Sequence, residues 1–182
     1  MTVPTNFPVP VLDKLPLNMG IYLSDDLLNY VHAERLENAG SWQISLGDAQ
    51  PAMFNNLLSG MFQGVETILD PSAPSAGVNG VLVPSIQEVQ FSIPSQTRSD
   101  YYEVWIRYQF QLYDGEGQLL ADWPLTAYGK ADEDNYGLST DQPALQAAAL
   151  AACRDAMAFF TVQFRDVPSV KAWLDRQLGG TS

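Results

Sequence analysis

The chain has 182 residues, 46% of them hydrophobic and 16% charged, which is the composition of one compact globular domain and not of a disordered chain. Its 21 acidic and nine basic residues give a net charge of −12, which disfavours nucleic acid and anionic lipid head groups as partners. The single cysteine excludes an internal disulfide, and no run of 18 apolar residues predicts a membrane span.

The N-terminal segment, residues 1–16, carries four prolines and no periodicity. This pattern predicts an extended, Pro-rich tether in front of a single domain that covers residues 17–178. Residues 17–24 are expected to form the first strand. Ser24 and the two aspartates after it predict a capped short helix that reaches Tyr30 and Val31, and residues 41–46 alternate like a short strand.

The middle of the chain predicts an amphipathic helix followed by two strands. Asp48 is a candidate N-cap, and large apolar residues recur at helical spacing up to Gly64, where the helix is expected to end; they are Met53, Phe54, Leu57, Leu58, Met61 and Phe62. Residues 65–69 predict a strand, and residues 70–80 an exposed loop. The strand expected over residues 81–93 contains Pro84, which predicts an edge position or a bulge.

The strongest pattern lies in residues 102–129, which predict a long antiparallel hairpin. One side carries apolar residues at every second position, namely Tyr102, Val104, Ile106, Tyr108, Phe110 and Leu112. The other side is polar except for Trp105. Cover by a loop or a terminal segment is the simpler explanation of Trp105, and a contact surface is the alternative.

The C-terminal part predicts a helix from Pro143 to about Phe164 and a shorter one over residues 168–178. Alanines in the first of these helices allow it to lie close to a sheet. The order of elements therefore predicts an α+β fold: a single two-layer domain with a mostly antiparallel sheet and helices packed on one face.

No chemical signature in the sequence predicts a catalytic, cofactor or metal site. Cys153 and His32 form the only conceivable thiol–imidazole pair, but Cys153 lies on an apolar helix stripe. Residues 132–137 begin like a calcium loop, yet Tyr136 and Pro143 occupy positions that need oxygen ligands. Phosphate loops, nucleophile elbows and dinucleotide fingerprints do not occur. We therefore predict no enzymatic activity and no cofactor.

The segment DQPALQAAALAACRDAMAFFTVQFRDVPSVKAWLDRQ, together with the Pro-rich lead, the Met-rich helix and the long hairpin, resembles bacterial envelope lipoproteins of the YajG type. More distantly the chain resembles the α/β domains of penicillin-binding-protein activator lipoproteins, of the curli secretion lipoprotein and of the N-terminal domain of TolB. The resemblance implies a periplasmic domain tied to the outer membrane by a lipidated cysteine. That cysteine is not in the sequence, so the location is implied and not observed.

The resemblance and the lack of catalytic groups predict a non-enzymatic envelope assembly or scaffolding factor that binds a protein partner. Its contacts are predicted at Trp105 and Arg107, or at Asp132, Asp134 and Tyr136 in the acidic segment between residues 130 and 141. A membrane contact is expected only through the lipid anchor. The alternative is a small-molecule or lipid-binding envelope protein, including a role like that of the lipopolysaccharide-assembly lipoprotein, with its pocket at Met53, Phe54, Met61 and Phe62.

Overall fold

The computed structural model describes residues 1–37, 39–73, 76–136 and 141–179, with the backbone but not the side chain of Asp141. Within these residues lie the strands β1 (Leu15–Ile21), β2 (Val31–Leu36), β3 (Gly40–Ser45), β4 (Phe62–Thr67), β5 (Gly80–Ser92), β6 (Tyr101–Asp114) and β7 (Leu119–Asp132). The helices are α1 (Asp25–Leu28), α2 (Gln50–Met61), α3 (Pro94–Thr97), α4 (Asp141–Gln163) and α5 (Pro168–Gly179). Short 3₁₀ turns cover Gly47–Ala49 and Glu133–Tyr136.

Five strands form one sheet in the order β4-β1-β5-β6-β7, and β2 with β3 forms a separate hairpin. The long strands β5, β6 and β7 pair antiparallel, whereas β1 pairs parallel with both β4 and β5. The predicted α+β class is confirmed. Because β1 pairs parallel with its two neighbours, the sheet is mixed and not purely antiparallel, which the residue pattern did not indicate.

One face of the sheet packs against α2 and α4. The six alternating apolar residues of β6, from Tyr102 to Leu112, are each at most 3% exposed, as the pattern predicted. The ring of Phe54 in α2 lies edge-on to Tyr108, with 6.1 Å between ring centroids, and Phe160 in α4 lies 4.9 Å from Phe110. These contacts fill the layer between sheet and helices with aromatic side chains.

Helix α4 lies directly against Gly129 of β7. A Cβ atom at that position would lie 2.2 Å from the carbonyl oxygen of Ala148 and 2.2 Å from the amide nitrogen of Ala152. The predicted role of the alanines is therefore confirmed, because bulkier residues would hold the helix away from β7. By length and composition α4 is the one described helix that could cross a membrane, but its buried stripe packs on the sheet as in a core helix.

Two strands carry features that limit further strand pairing. Strand β5 pairs with β1 only over Gly80–Leu82, so Pro84 lies beyond the end of β1, and a register shift between Ile86 and Glu88 marks a bulge. This confirms the prediction made from Pro84. At the outer edge of β7, Asp155 accepts a 2.9 Å hydrogen bond from the amide of Tyr128. A side-chain acceptor thus occupies a donor that another strand would need.

Residues 1–14, which we call the N-terminal strap, run without helix or strand across the helices. Val3 and Phe7 are 1% and 7% exposed, and the amide of Val3 donates to the carbonyl of Ser45 at 3.1 Å. The side chain of Asn56 in α2 donates to the carbonyl of Phe7 at 2.8 Å, and Arg154 in α4 donates to Asn6 at 3.1 Å. The strap is therefore docked at Val3, Asn6 and Phe7, while the predicted tether over residues 1–16 and the limits of the domain stay predictions.

Several predicted elements are wrong at their limits. The predicted short helix ends at Leu28, and residues 31–36 form β2 where a helix end was expected. Helix α2 ends at Met61, so Gly64 lies inside β4, where pairing with β1 outweighs the helical spacing of the apolar residues. Asp48 lies in a 3₁₀ turn and does not cap α2. Within the loop predicted over residues 70–80, residues 74 and 75 lie outside the described residues.

Candidate contact surface on the outer sheet face

Nine side chains of β5, β6 and β7 form a three-by-three array on the sheet face opposite α2 and α4, which we call the outer grid. Its rows follow the strand register: Ser92, Glu103 and Lys130; Gln90, Trp105 and Tyr128; Glu88, Arg107 and Thr126. Side chains alternate between the two faces of a strand, and the intervening residues of β6 are buried in the core. Trp105 therefore lies at the centre of a solvent-facing surface.

The central row is held by aromatic and hydrogen-bonding contacts. The rings of Trp105 and Tyr128 lie 5.3 Å apart at an angle of 39°. The hydroxyl of Tyr128 donates a 2.6 Å hydrogen bond to Glu103, which also accepts from the hydroxyl of Ser92 at 3.0 Å. The hydrogen bond to Glu103 raises the pKa of the Tyr128 phenol to about 12, because deprotonation of the phenol would lose this bond.

The next row contains an ion pair beside a shallow depression. Arg107 lies 3.7 Å from Glu88, and the two side chains are 56% and 48% exposed. The side-chain amide of Gln90 donates to the carboxylate of Glu88 at 2.7 Å. Together with Trp105 and Thr126, these residues line a depression of about 260 Å³ that opens to solvent. Within the described residues Trp105 is flanked by its strand neighbours, and the choice between cover by a loop or a terminal segment and a contact surface stays a prediction.

The second predicted contact region lies at the end of the same hairpin. Asp132 is paired in register with Tyr101, two rows beyond the row of Trp105, and Lys130 places its Nζ 4.5 Å from the centroid of the Tyr101 ring. The amide of Asp134 donates to Asp132 at 3.0 Å, and Tyr136 is 36% exposed. Asp132 therefore lies on β7 one row beyond Lys130, next to the outer grid. Gly137, the sixth position of the calcium-like loop, lies outside the described residues.

The thiol and imidazole weighed as a catalytic pair lie in different surroundings. Cys153 is fully buried, and burial raises the pKa of its thiol to about 12, which keeps the sulfur protonated and unreactive at neutral pH. His32 lies on the β2–β3 hairpin, 3.4 Å from Glu34 and edge-on to Phe91. Over the residues that the structure describes, no group of three or more acidic, histidine or cysteine side chains is placed to hold a metal ion.

The four residues of the alternative ligand pocket belong to the packed core. Met53, Phe54, Met61 and Phe62 are each at most 3% exposed. Phe54 contacts Phe110, and Phe62 lies 5.6 Å from the ring of Phe164. Where a ligand was predicted between helix and sheet, the layer is occupied by protein side chains.

Sequence reasoning found the centre of the outer grid but not its partners. Trp105 stood out because it breaks a polar alternation, whereas Tyr128, Glu103 and Gln90 belong to it only through the register of three strands. The alternation of Thr126, Tyr128 and Lys130 in β7 was the available signal. It becomes informative once the turn of the hairpin fixes which residues face each other.

Comparisons with known proteins address the fold. No family model matches the chain, and no curated protein matches its sequence. Among solved structures, the chain is similar to protein XCC0632 from Xanthomonas campestris, described with family model DUF330, with a TM-score of 0.57 and 11% identity over 100% of this chain and 96% of that one. It is also similar to a minor lipoprotein from Acinetobacter baumannii, with a TM-score of 0.45 and 17% identity over 83% and 92% of the two chains.

The likeness to XCC0632 spans the whole chain and supports the α+β fold described above. At 11% identity it carries no inference about activity or binding. The more specific resemblance to envelope lipoproteins of the YajG type stays a prediction from the sequence.

Proposed function

We propose that this chain is the non-enzymatic domain of a bacterial envelope lipoprotein, held at the periplasmic side of the outer membrane, and that it serves as an assembly or scaffolding factor. It works by binding a protein partner through the outer grid. The observation that carries this proposal is the solvent-facing Trp105–Tyr128 pair, which is framed by charged and amide side chains. A central aromatic surrounded by polar groups is the usual composition of a protein-binding hot spot.

Two other surfaces of the sheet are less suited to a protein partner than the outer grid. The helix-facing side of the sheet is filled, so it offers a partner no contact area. At the outer edge of β7, Asp155 occupies the amide of Tyr128, which disfavours binding by strand addition. The outer grid, in contrast, presents solvent-exposed side chains that a protein partner can cover. The resemblance to envelope lipoproteins supports the compartment, with the lipid anchor preceding residue 1.

Photo-crosslinking in the native envelope tests the proposal. A photoreactive residue is placed at Thr126, inside the outer grid, and for comparison at Ala158, an exposed position of α4. We expect a discrete adduct from position 126 and none of the same size from position 158. Adding Trp105→Ala should remove the adduct, because truncating a hot-spot tryptophan costs 2 kcal/mol or more, about thirtyfold in affinity.

The matched control for Trp105→Ala is Phe159→Ala, which removes a 55% exposed aromatic ring from the helix side. It should leave the adduct unchanged. If positions 126 and 158 give the same adducts, or if Trp105→Ala and Phe159→Ala behave alike, the outer grid is not the contact surface.

A further inference from the structure

The depression beside Trp105 combines two kinds of surface within one small volume. Trp105 contributes a flat apolar ring, while Glu88, Gln90, Arg107 and Thr126 contribute hydrogen-bonding groups around it. Its volume of about 260 Å³ suits one ring of a small molecule. Small-molecule sites typically pair an aromatic wall with a few polar groups that fix orientation.

The polar groups of this depression keep bonding capacity for a ligand. The Arg107–Glu88 pair is long at 3.7 Å, and about half of each side chain is exposed. An exposed pair of this kind is weak, so either partner can turn to a ligand at little cost. Guanidinium and carboxylate groups each present two parallel bonding positions, which match neighbouring hydroxyl groups.

The charge of the lining selects between ligand classes. Glu88 and Arg107 carry opposite charges, and the remaining lining residues, Gln90, Trp105 and Thr126, are neutral. The depression therefore has no net charge to attract an ionic ligand. A ligand that suits it is neutral, has one apolar face for the indole, and carries hydroxyl groups at its rim.

A pyranose ring has these properties, because its axial C–H bonds form an apolar face and its hydroxyl groups project around the edge. We propose that the depression is a subsite for one pyranose ring of a neutral glycan, with Trp105 under the ring and Arg107, Glu88 and Gln90 bonded to its hydroxyls. This site lies on the outer sheet face, apart from the core pocket considered from the sequence. It does not rest on the proposed protein-binding function.

The affinity expected of such an open, single-ring site is in the millimolar range, so NMR titration is the suitable measurement. The probes are chitotriose and maltotriose, added to the ¹⁵N-labelled full chain up to about 20 mM. Sorbitol is the matched control, because it carries hydroxyl groups without a rigid apolar ring face. We expect either trisaccharide, but not sorbitol, to shift the indole N–H signal that Trp105→Ala removes from the spectrum.

Two variants test the assignment of residues. Arg107→Gln should weaken trisaccharide binding about threefold to tenfold, the range of one hydrogen bond, while the rest of the spectrum stays folded. Phe159→Ala, on the helix side, should bind as wild type does. Binding should also be the same at low and high salt, because neither ligand nor site has a net charge.

The proposal is overturned if sorbitol shifts the same signals, if neither trisaccharide shifts them, or if Arg107→Gln binds as tightly as wild type. An arginine-rich peptide that shifts these signals where the trisaccharides do not would also overturn it, and would support the protein-binding function instead. If the trisaccharides fail but the adduct from position 126 still depends on Trp105, only the glycan subsite is refuted.

Discussion

Replacing Gly129 by alanine adds one methyl group where α4 lies directly against β7. The new Cβ atom would lie 2.2 Å from two backbone atoms, the carbonyl oxygen of Ala148 and the amide nitrogen of Ala152. Backbone atoms cannot avoid the contact by a change of rotamer. An ordinary contact needs at least 3.4 Å, so α4 must move by about 1 Å away from the sheet.

This displacement would loosen the packing of the whole alanine stripe against β7. Overpacking of a core ordinarily costs 1–3 kcal/mol, and a contact that only a helix shift can relieve belongs at the upper end. We expect Gly129→Ala to lower the free energy of unfolding by about 3 kcal/mol or more. For a chain of this size that corresponds to a fall in Tm of about 6–12 °C.

Urea denaturation followed by circular dichroism, with calorimetry for Tm, measures the change. Gly179→Ala is the matched control, because a Cβ atom at Gly179 meets nothing within 4 Å. It should change the stability by no more than about 0.5 kcal/mol. If Gly129→Ala also stays within that range, the close approach of α4 does not limit the residue at position 129 and the packing argument fails.

Three further changes test the strap, the sheet edge and the core. Phe7→Ala should cost about 3 kcal/mol in urea titrations; no loss would mean that the strap is a free tether. Asp155→Ala, but not Asp155→Asn, should cost about 1 kcal/mol and promote concentration-dependent association in gel filtration; identical elution would contradict this. The Cys153 thiol loses its proton near pH 9 in the unfolded chain and near pH 12 in the folded chain, so the folded state loses stability as the pH rises from 9 to 12. The free energy of unfolding should therefore fall more steeply over this pH range in wild type than in Cys153→Ala; equal slopes would refute this prediction.

The parts of the fold that were predictable depend on local periodicity. The alternation in β6 and the three-four spacing in α2 each repeat over several residues, so burial of one face followed directly. The alanines of α4 predicted a close helix–sheet contact because small side chains have one structural consequence. These elements were found with limits wrong by a few residues.

The parts that were missed depend on contacts between distant segments. Whether β1 pairs parallel or antiparallel is decided by the path of the chain through α1, the β2–β3 hairpin and α2, and not by the residues of β1. The strap gave no signal either, since its apolar residues and three prolines do not form a period. Val3 and Phe7 are buried where β3, α2 and α4 each hydrogen-bond to the strap.

The candidate surface shows the same division. Trp105 was found because one residue contradicted a polar pattern, but its meaning required the register of β5, β6 and β7. Register brings Tyr128 beside it and places the charged pair of Glu88 and Arg107 in the next row. A single sequence shows which residue is unusual on a strand, while the neighbouring strands decide what that residue forms.

The position of the outer grid follows from how the fold uses its other surfaces. Packing α2 and α4 on one face of the sheet fills that face, and Pro84, the bulge near Ile86 and Asp155 each limit pairing at an exposed strand. Among the described residues no third layer lies over the outer grid, so its side chains stay available for contact. An aromatic pair at the centre of that face raises the cost of leaving it solvated, which is the physical reason to expect a binding partner on it.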